Sequence, residues 1–198
     1  MAPLVLAAGI VLTALAPSPL ARLAAVVYAL TSLLLFSVSA IYHRGTWTAR
    51  VHALLRRLDH SNIYLIIAGT YTPIALLAMS GGPRIAVLTV VWTGAILGVV
   101  FRLFWLNAPR WLYTPLYVGL GWVAVFVFPQ LLTGGGIAAF VLVLAGGLAY
   151  TVGGLVYALK RPRLSPRWFG FHEVFHACTV VGYTAQYIAV SFVTYSLV

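Results

Sequence analysis

Three short segments hold the residues able to do chemistry: Ser39-Ala40-Ile41-Tyr42-His43, Leu58-Asp59-His60, and Phe171-His172-Glu173-Val174-Phe175-His176. Asp59 and Glu173 are the only acidic residues in the chain, and both sit beside histidines at the edge of long apolar segments. A carboxylate next to hydrocarbon is costly to keep ionised, so it calls for a partner, a metal or a catalytic task. His172 and His176 are four apart, which on a helix places both imidazoles on one face, one turn from each other. Ser39 stands in the same relation to His43. Three neutral imidazoles with one position left for water are a common composition for a catalytic zinc site, although imidazole also suits other divalent ions. Asp59 would then hold or deprotonate that water, or orient a histidine from outside the ligand set.

The elements that must position these residues are membrane helices. Hydrophobic residues make up 63% of the chain and charged ones 7%, with a mean hydropathy of +1.03; a soluble domain carries about 25% charged residues. The expected class is all-α, a polytopic membrane protein. Net charge of +10 raises nucleic acid as a partner, but the Lys and Arg residues lie scattered in short connections between apolar runs, which suits membrane flanks and excludes a nucleic-acid surface. The single cysteine, Cys178, excludes an internal disulfide and reads as a packing residue.

A helix needs about 20 residues to cross the hydrocarbon. Seven runs are candidates, over residues 3–17, 20–43, 59–79, 84–104, 111–131, 136–159 and 169–196, forming one bundle over 1–198 without a linker or second domain. Pro17-Ser18-Pro19, Gly81-Gly82-Pro83, Asn107-Ala108-Pro109 and Gly134-Gly135-Gly136 separate them. The first run is short, and Ala14-Leu15-Ala16 resembles a signal-peptidase site; the absence of a basic n-region favours a tilted or locally thinned first helix.

Orientation follows from the basic residues, which accumulate in cytoplasmic loops. Ten of the twelve fall on one face: Arg44, Arg50, Arg56 and Arg57; Arg102 and Arg110; Lys160, Arg161, Arg163 and Arg167. Arg22 and Arg84 fall on the other. The expectation is a multi-pass protein of the cell membrane with a cytoplasmic amino terminus and an external carboxyl terminus. Trp47, Trp105, Trp111 and Trp168 flank the basic loops as an interfacial belt. In this topology Ser39, His43, Asp59, His172, Glu173 and His176 share one depth on one side, so groups more than a hundred residues apart can meet.

Those segments, together with Ser61-Asn62-Ile63-Tyr64, Ala68-Gly69-Thr70-Tyr71-Thr72-Pro73, Gly147-Leu148-Ala149-Tyr150-Thr151 and Tyr157-Ala158-Leu159-Lys160-Arg161-Pro162, resemble the hemolysin III family, the bacterial branch of the progestin and adipoQ receptor superfamily. The resemblance covers roughly residues 20 to 198. Family members usually carry a polar segment with Glu, Asn and His before the first helix, whereas this chain opens Met1-Ala2-Pro3. The resemblance implies seven transmembrane helices with a cytoplasmic amino terminus and a zinc site. Carried over by position, the ligands would be His43, His172 and His176, with Asp59 touching the zinc-bound water and Ser39 nearby. The superfamily includes alkaline ceramidases, which implies zinc-dependent hydrolysis of a lipid amide. Other relatives are described as receptors, and the family name reflects lysis; a non-enzymatic receptor, regulatory or pore-forming protein with structural zinc is therefore the alternative.

Each residue also has a plainer reading. Asp59 suits the N-cap of a helix beginning there, and Ser39 suits helix–helix packing in lipid. His-Glu-x-x-His is also the zincin signature, in which Glu173 would be a protease's general base. The remaining segments fit hemolysin III, whose members commonly have Glu here without being proteases, so Glu173 is assigned instead to a basic group such as Arg167 or a histidine N–H, supporting the flanking histidines. His52 and His60 read as loop or interface residues, and the glycine pairs 146–147 and 153–154 as sites of close helix approach.

Overall fold

A computed structural model describes residues 1–105, 107–161 and 170–196. The regular structure of the described residues is all helix, joined by short turns and without strands. The elements are α1 (Ala2–Ala14), α2 (Pro19–Arg44), α3 (Ala49–Ala78), α4 (Gly81–Phe104), α5 (Arg110–Gly121), a 3₁₀ segment (Trp122–Val127), α6 (Phe128–Leu159) and α7 (Phe171–Tyr195). Among the described residues five stretches are long and apolar enough to cross a membrane: α2, α3, α4, the continuous Arg110–Leu159 segment, and α7. α3 is the most buried of them, and leucines, isoleucines and phenylalanines on the other helices face outward, as lipid contact requires. Arg163, Arg167, Trp168 and the first residue expected in the last helix lie outside the described residues.

α3 departs most from expectation. It begins at Ala49, not at 59, so Arg50, Arg56 and Arg57 belong to the helix. The Thr48 hydroxyl accepts the Val51 N–H at 3.5 Å, and no Gly or Pro interrupts residues 49–58. Helix propensity carries the turns through the charged stretch where hydropathy stops. Asp59 is therefore interior to a helix and is not its N-cap.

The Arg110–Leu159 segment doubles back on itself. At one end the Arg110 Nη1 donates to the Tyr157 carbonyl at 3.1 Å. At the other, Gly134 packs flush on the Ala78 backbone, and a Cβ on Gly135 would lie 3.5 Å from Val193. Gly136 has φ 77° and ψ 167°, a conformation only glycine adopts readily, so the predicted break in the glycine run exists in the backbone. The 3₁₀ turn before it was not foreseen. It is pinned by the Tyr71 hydroxyl, which donates to the Gly121 carbonyl and accepts the Ala124 N–H, both at 2.6 Å.

α6 and α7 are held close by small residues. A Cβ on Gly153 would come within 2.9 Å of the Cys178 Cβ, and one on Gly146 within 2.7 Å of Gln186. Gly154 faces α5 instead, and Gly147 faces open space. α1 docks on α2 where Gly9 meets Ala29 and is tied to α7 by the Tyr187 hydroxyl, which donates to the Ala8 carbonyl at 3.0 Å. The outcome is that the end of α2, the first half of α3 and the start of α7 come together at one end of the bundle.

Candidate metal centre

His43 lies in the last turn of α2, and His172 and His176 in the first two turns of α7. The His172 Nε2 is 3.1 Å from the Nε2 of His43 and 3.1 Å from the Nε2 of His176. All three ligand atoms fall within 4.8 Å of one another. Zinc–nitrogen bonds of about 2.05 Å in a tetrahedron place neighbouring nitrogens about 3.3 Å apart, so this spacing fits one divalent ion.

Hydrogen bonding supports the fit. The His43 Nδ1 lies 2.9 Å from the Ser39 carbonyl oxygen. A carbonyl only accepts, so Nδ1 carries the proton and Nε2 presents a lone pair to the other two imidazoles. Such a bond to the far nitrogen is the usual way a metal-binding histidine is oriented. The Ser39 hydroxyl is farther from this nitrogen, at 3.5 Å; the i to i+4 spacing identified the pair, and the backbone makes its closer contact.

α7 is fixed at its start by a capping box in which Glu173 accepts the Gly170 N–H at 2.8 Å. That contact holds the first turn, from which His172 and His176 project. The Glu173 carboxylate is exposed, and its negative charge lies beside both histidines.

Asp59 stands outside the three-histidine cluster and is 17% exposed. Its polar neighbours are Ser39, His43 and His60, whose Nδ1 is 4.0 Å from the Asp59 Oδ2. Asp59, Ser39, His43 and His176 line one cavity of about 430 Å³, which runs inward past Ile63, Ile67 and Val180 to Thr70, Trp122 and Gln186. Its wall is predominantly apolar. Four of the six sequence-predicted residues thus line one cavity, while His172 and Glu173 are not among its lining residues, and the interior suits hydrocarbon.

His60 differs from expectation: its side chain is 12% exposed and faces the bundle. Its Nδ1 donates to the Arg56 carbonyl at 2.8 Å, so its Nε2 accepts from the Tyr157 hydroxyl at 3.2 Å. The Tyr113 hydroxyl donates in turn to Tyr157 at 3.4 Å. A histidine next to an acid inside an apolar helix was the available signal, but the partners are on α5 and α6, which spacing alone cannot find.

Described residues whose regular structure is all helix, with apolar, membrane-length segments and a three-histidine group at the ends of two of them, define a multi-pass membrane protein with a candidate metal centre. The family description "Haemolysin-III related" matches residues 1–187. Hemolysin-3 of Bacillus cereus is 33% identical over 169 residues, 84% of this chain and 73% of that protein. The Hemolysin-3 homolog of Bacillus subtilis (strain 168) is 31% identical over 166 residues, 84% of this chain and 75% of that protein. The chain belongs to the hemolysin III family, and the family match starts at residue 1, so it takes in α1 as well as the segments from residue 20 onward.

Proposed function

We propose that the protein is a metal-dependent hydrolase of lipid amides, with zinc as the ion and His43, His172 and His176 as its ligands. The carrying observation is a set of three imidazole nitrogens, joined by no fourth ligand among the described residues, that opens onto an apolar cavity with Asp59 and Ser39 at its mouth. A closed structural zinc site takes four protein ligands, whereas three leave a position for chemistry. Zinc bound there would polarise a carbonyl and acidify water.

The chain's own residues supply the rest. The cavity takes the hydrocarbon of a substrate entering from the membrane and leaves its amide at the mouth. Asp59 accepts a proton at a carboxylate oxygen from the attacking water and returns it to the leaving nitrogen as the C–N bond breaks. The Ser39 hydroxyl donates a hydrogen bond to the developing oxyanion. Glu173 holds the start of α7 and, through its charge, the histidines on it, and takes no proton. The bundle crosses the cell membrane seven times, with α1 as a short first crossing, Arg110–Leu159 counted twice about Gly136, and the amino terminus cytoplasmic; the excess of Lys and Arg at the histidine end supports that orientation.

The test is release of free fatty acid from ceramide-like amides by purified protein with metal bound. His172→Ala is expected to lose both activity and metal, and unchanged activity with unchanged metal content would overturn the proposal. The names of the relatives support a second reading, a lytic role. Dye release from liposomes that persists in the histidine variants, with no amide hydrolysis, would favour it.

A further inference from the structure

Arg102 closes α4 and is 1% exposed, the largest fully buried side chain described. Its Nη1 donates to the Trp105 carbonyl at 3.5 Å, while Nε and Nη2 have no hydrogen-bond partner among the described residues. The guanidinium lies 4.3 Å over the Tyr113 ring. Arg110 repeats the arrangement 4.3 Å over the Tyr157 ring. The hydroxyls of these two tyrosines are in contact and lead to His60, which also has Arg56 beside it. Three guanidiniums from α3, α4 and α5 therefore gather around one Tyr-Tyr-His cluster.

Among the described residues no carboxylate pairs with any of these three guanidiniums. Asp59 lies 4.0 Å from the His60 Nδ1, with Ser39 and His43 beside it, and Glu173 accepts the Gly170 N–H. A buried cation within a membrane helix is retained where it pairs with an opposite charge or serves a ligand. An anion from outside the chain would supply the opposite charge that the buried guanidinium lacks. We propose that Arg102 and Arg110 bind a phosphoryl anion at the histidine end of the bundle, beside Tyr113 and Tyr157. The planar guanidinium fork matches phosphate oxygens two at a time. Trp105 and Trp111, 50% and 73% exposed, flank the pair; tryptophan settles at headgroup depth, so these arginines lie level with the phosphates of membrane lipids.

The anion is carried by an anionic phospholipid or by free phosphate, and thermal unfolding of the full chain in nanodiscs separates the two. Phosphatidylglycerol in place of phosphatidylcholine is expected to raise the unfolding temperature by roughly 5 °C in the wild type and in Arg50→Gln, an exposed arginine at the same end. Arg102→Gln and Arg110→Gln are expected to lose the rise. A rise produced by millimolar phosphate in phosphatidylcholine discs, and lost in these variants, supports the site with free phosphate as its occupant. If Arg102→Gln does not fold, Arg110→Gln decides, since that residue is only half-buried. No rise from either anion, or a rise unchanged in the arginine variants that fold, overturns the proposal. None of these outcomes depends on amide hydrolysis.

Discussion

Gly153→Ala probes how the α6–α7 contact holds the histidines. The added methyl would stand 2.9 Å from the Cys178 Cβ and 3.5 Å from the Phe175 ring. Carbon atoms rest at about 3.5–4.0 Å, so α7 must move away from α6 locally by roughly 0.6–1 Å. Overpacking of this kind costs about 1–3 kcal/mol; gaining Ala in a helix interior returns about 1 kcal/mol. The expected net loss is ~0–2 kcal/mol, or up to about 8 °C in unfolding temperature at roughly 2–4 °C per kcal/mol for a chain of this size. The larger effect is at the metal centre, because His176 lies within a turn of Cys178 and ligand geometry tolerates displacements of only about 0.5 Å. Metal affinity measured by competition with a chelator should fall about tenfold or more, in the range seen when the groups supporting ligands are disturbed. Gly147→Ala, whose Cβ meets nothing, should leave affinity unchanged. In a Cys178→Gly background Gly153→Ala should recover most of the lost affinity, giving a coupling of about 0.5–3 kcal/mol. Equal affinity in Gly153→Ala and wild type, or the same loss with and without Cys178, would refute this account of how α7 is held.

Asp59→Asn should keep its metal, since Asp59 lies outside the histidine cluster, yet lose about 10²–10⁴-fold in amide hydrolysis. Glu173→Gln should stay within several-fold of wild type; a loss matching that of Asp59→Asn would revive Glu173 as a protease-like general base. Tyr71→Phe removes the hydroxyl that bridges the Gly121 carbonyl and the buried Ala124 N–H and should cost about 0.5–1.5 kcal/mol, read as a lower unfolding temperature.

The candidate site was legible because its signal is local and doubled. His172 and His176 announce a shared face by spacing, and the segment ends place His43 at the same depth. Helix boundaries in apolar sequence followed from turn residues, as at Pro19 and Pro109, although Gly81, Gly82 and Pro83, expected as a break, form the first turn of α4. Where charge and helix coincide, hydropathy misleads: Arg50, Arg56 and Arg57 read as a loop, although Thr48 caps a helix through them. The His60, Tyr157 and Tyr113 chain, and the Tyr71 clamp on the 3₁₀ turn, join residues some 44 to 97 positions apart. Such contacts depend on which helices become neighbours, and no periodicity within one helix encodes that.

The central claim is that three imidazoles hold one ion. Its most direct test is elemental analysis of the protein purified without added metal or chelator. The account predicts close to one zinc per chain, falling to near zero in His43→Ala, His172→Ala and His176→Ala while the folded protein is retained. A wild-type protein that neither carries a divalent metal nor takes one up would contradict it, as would bound metal that survives removal of these histidines.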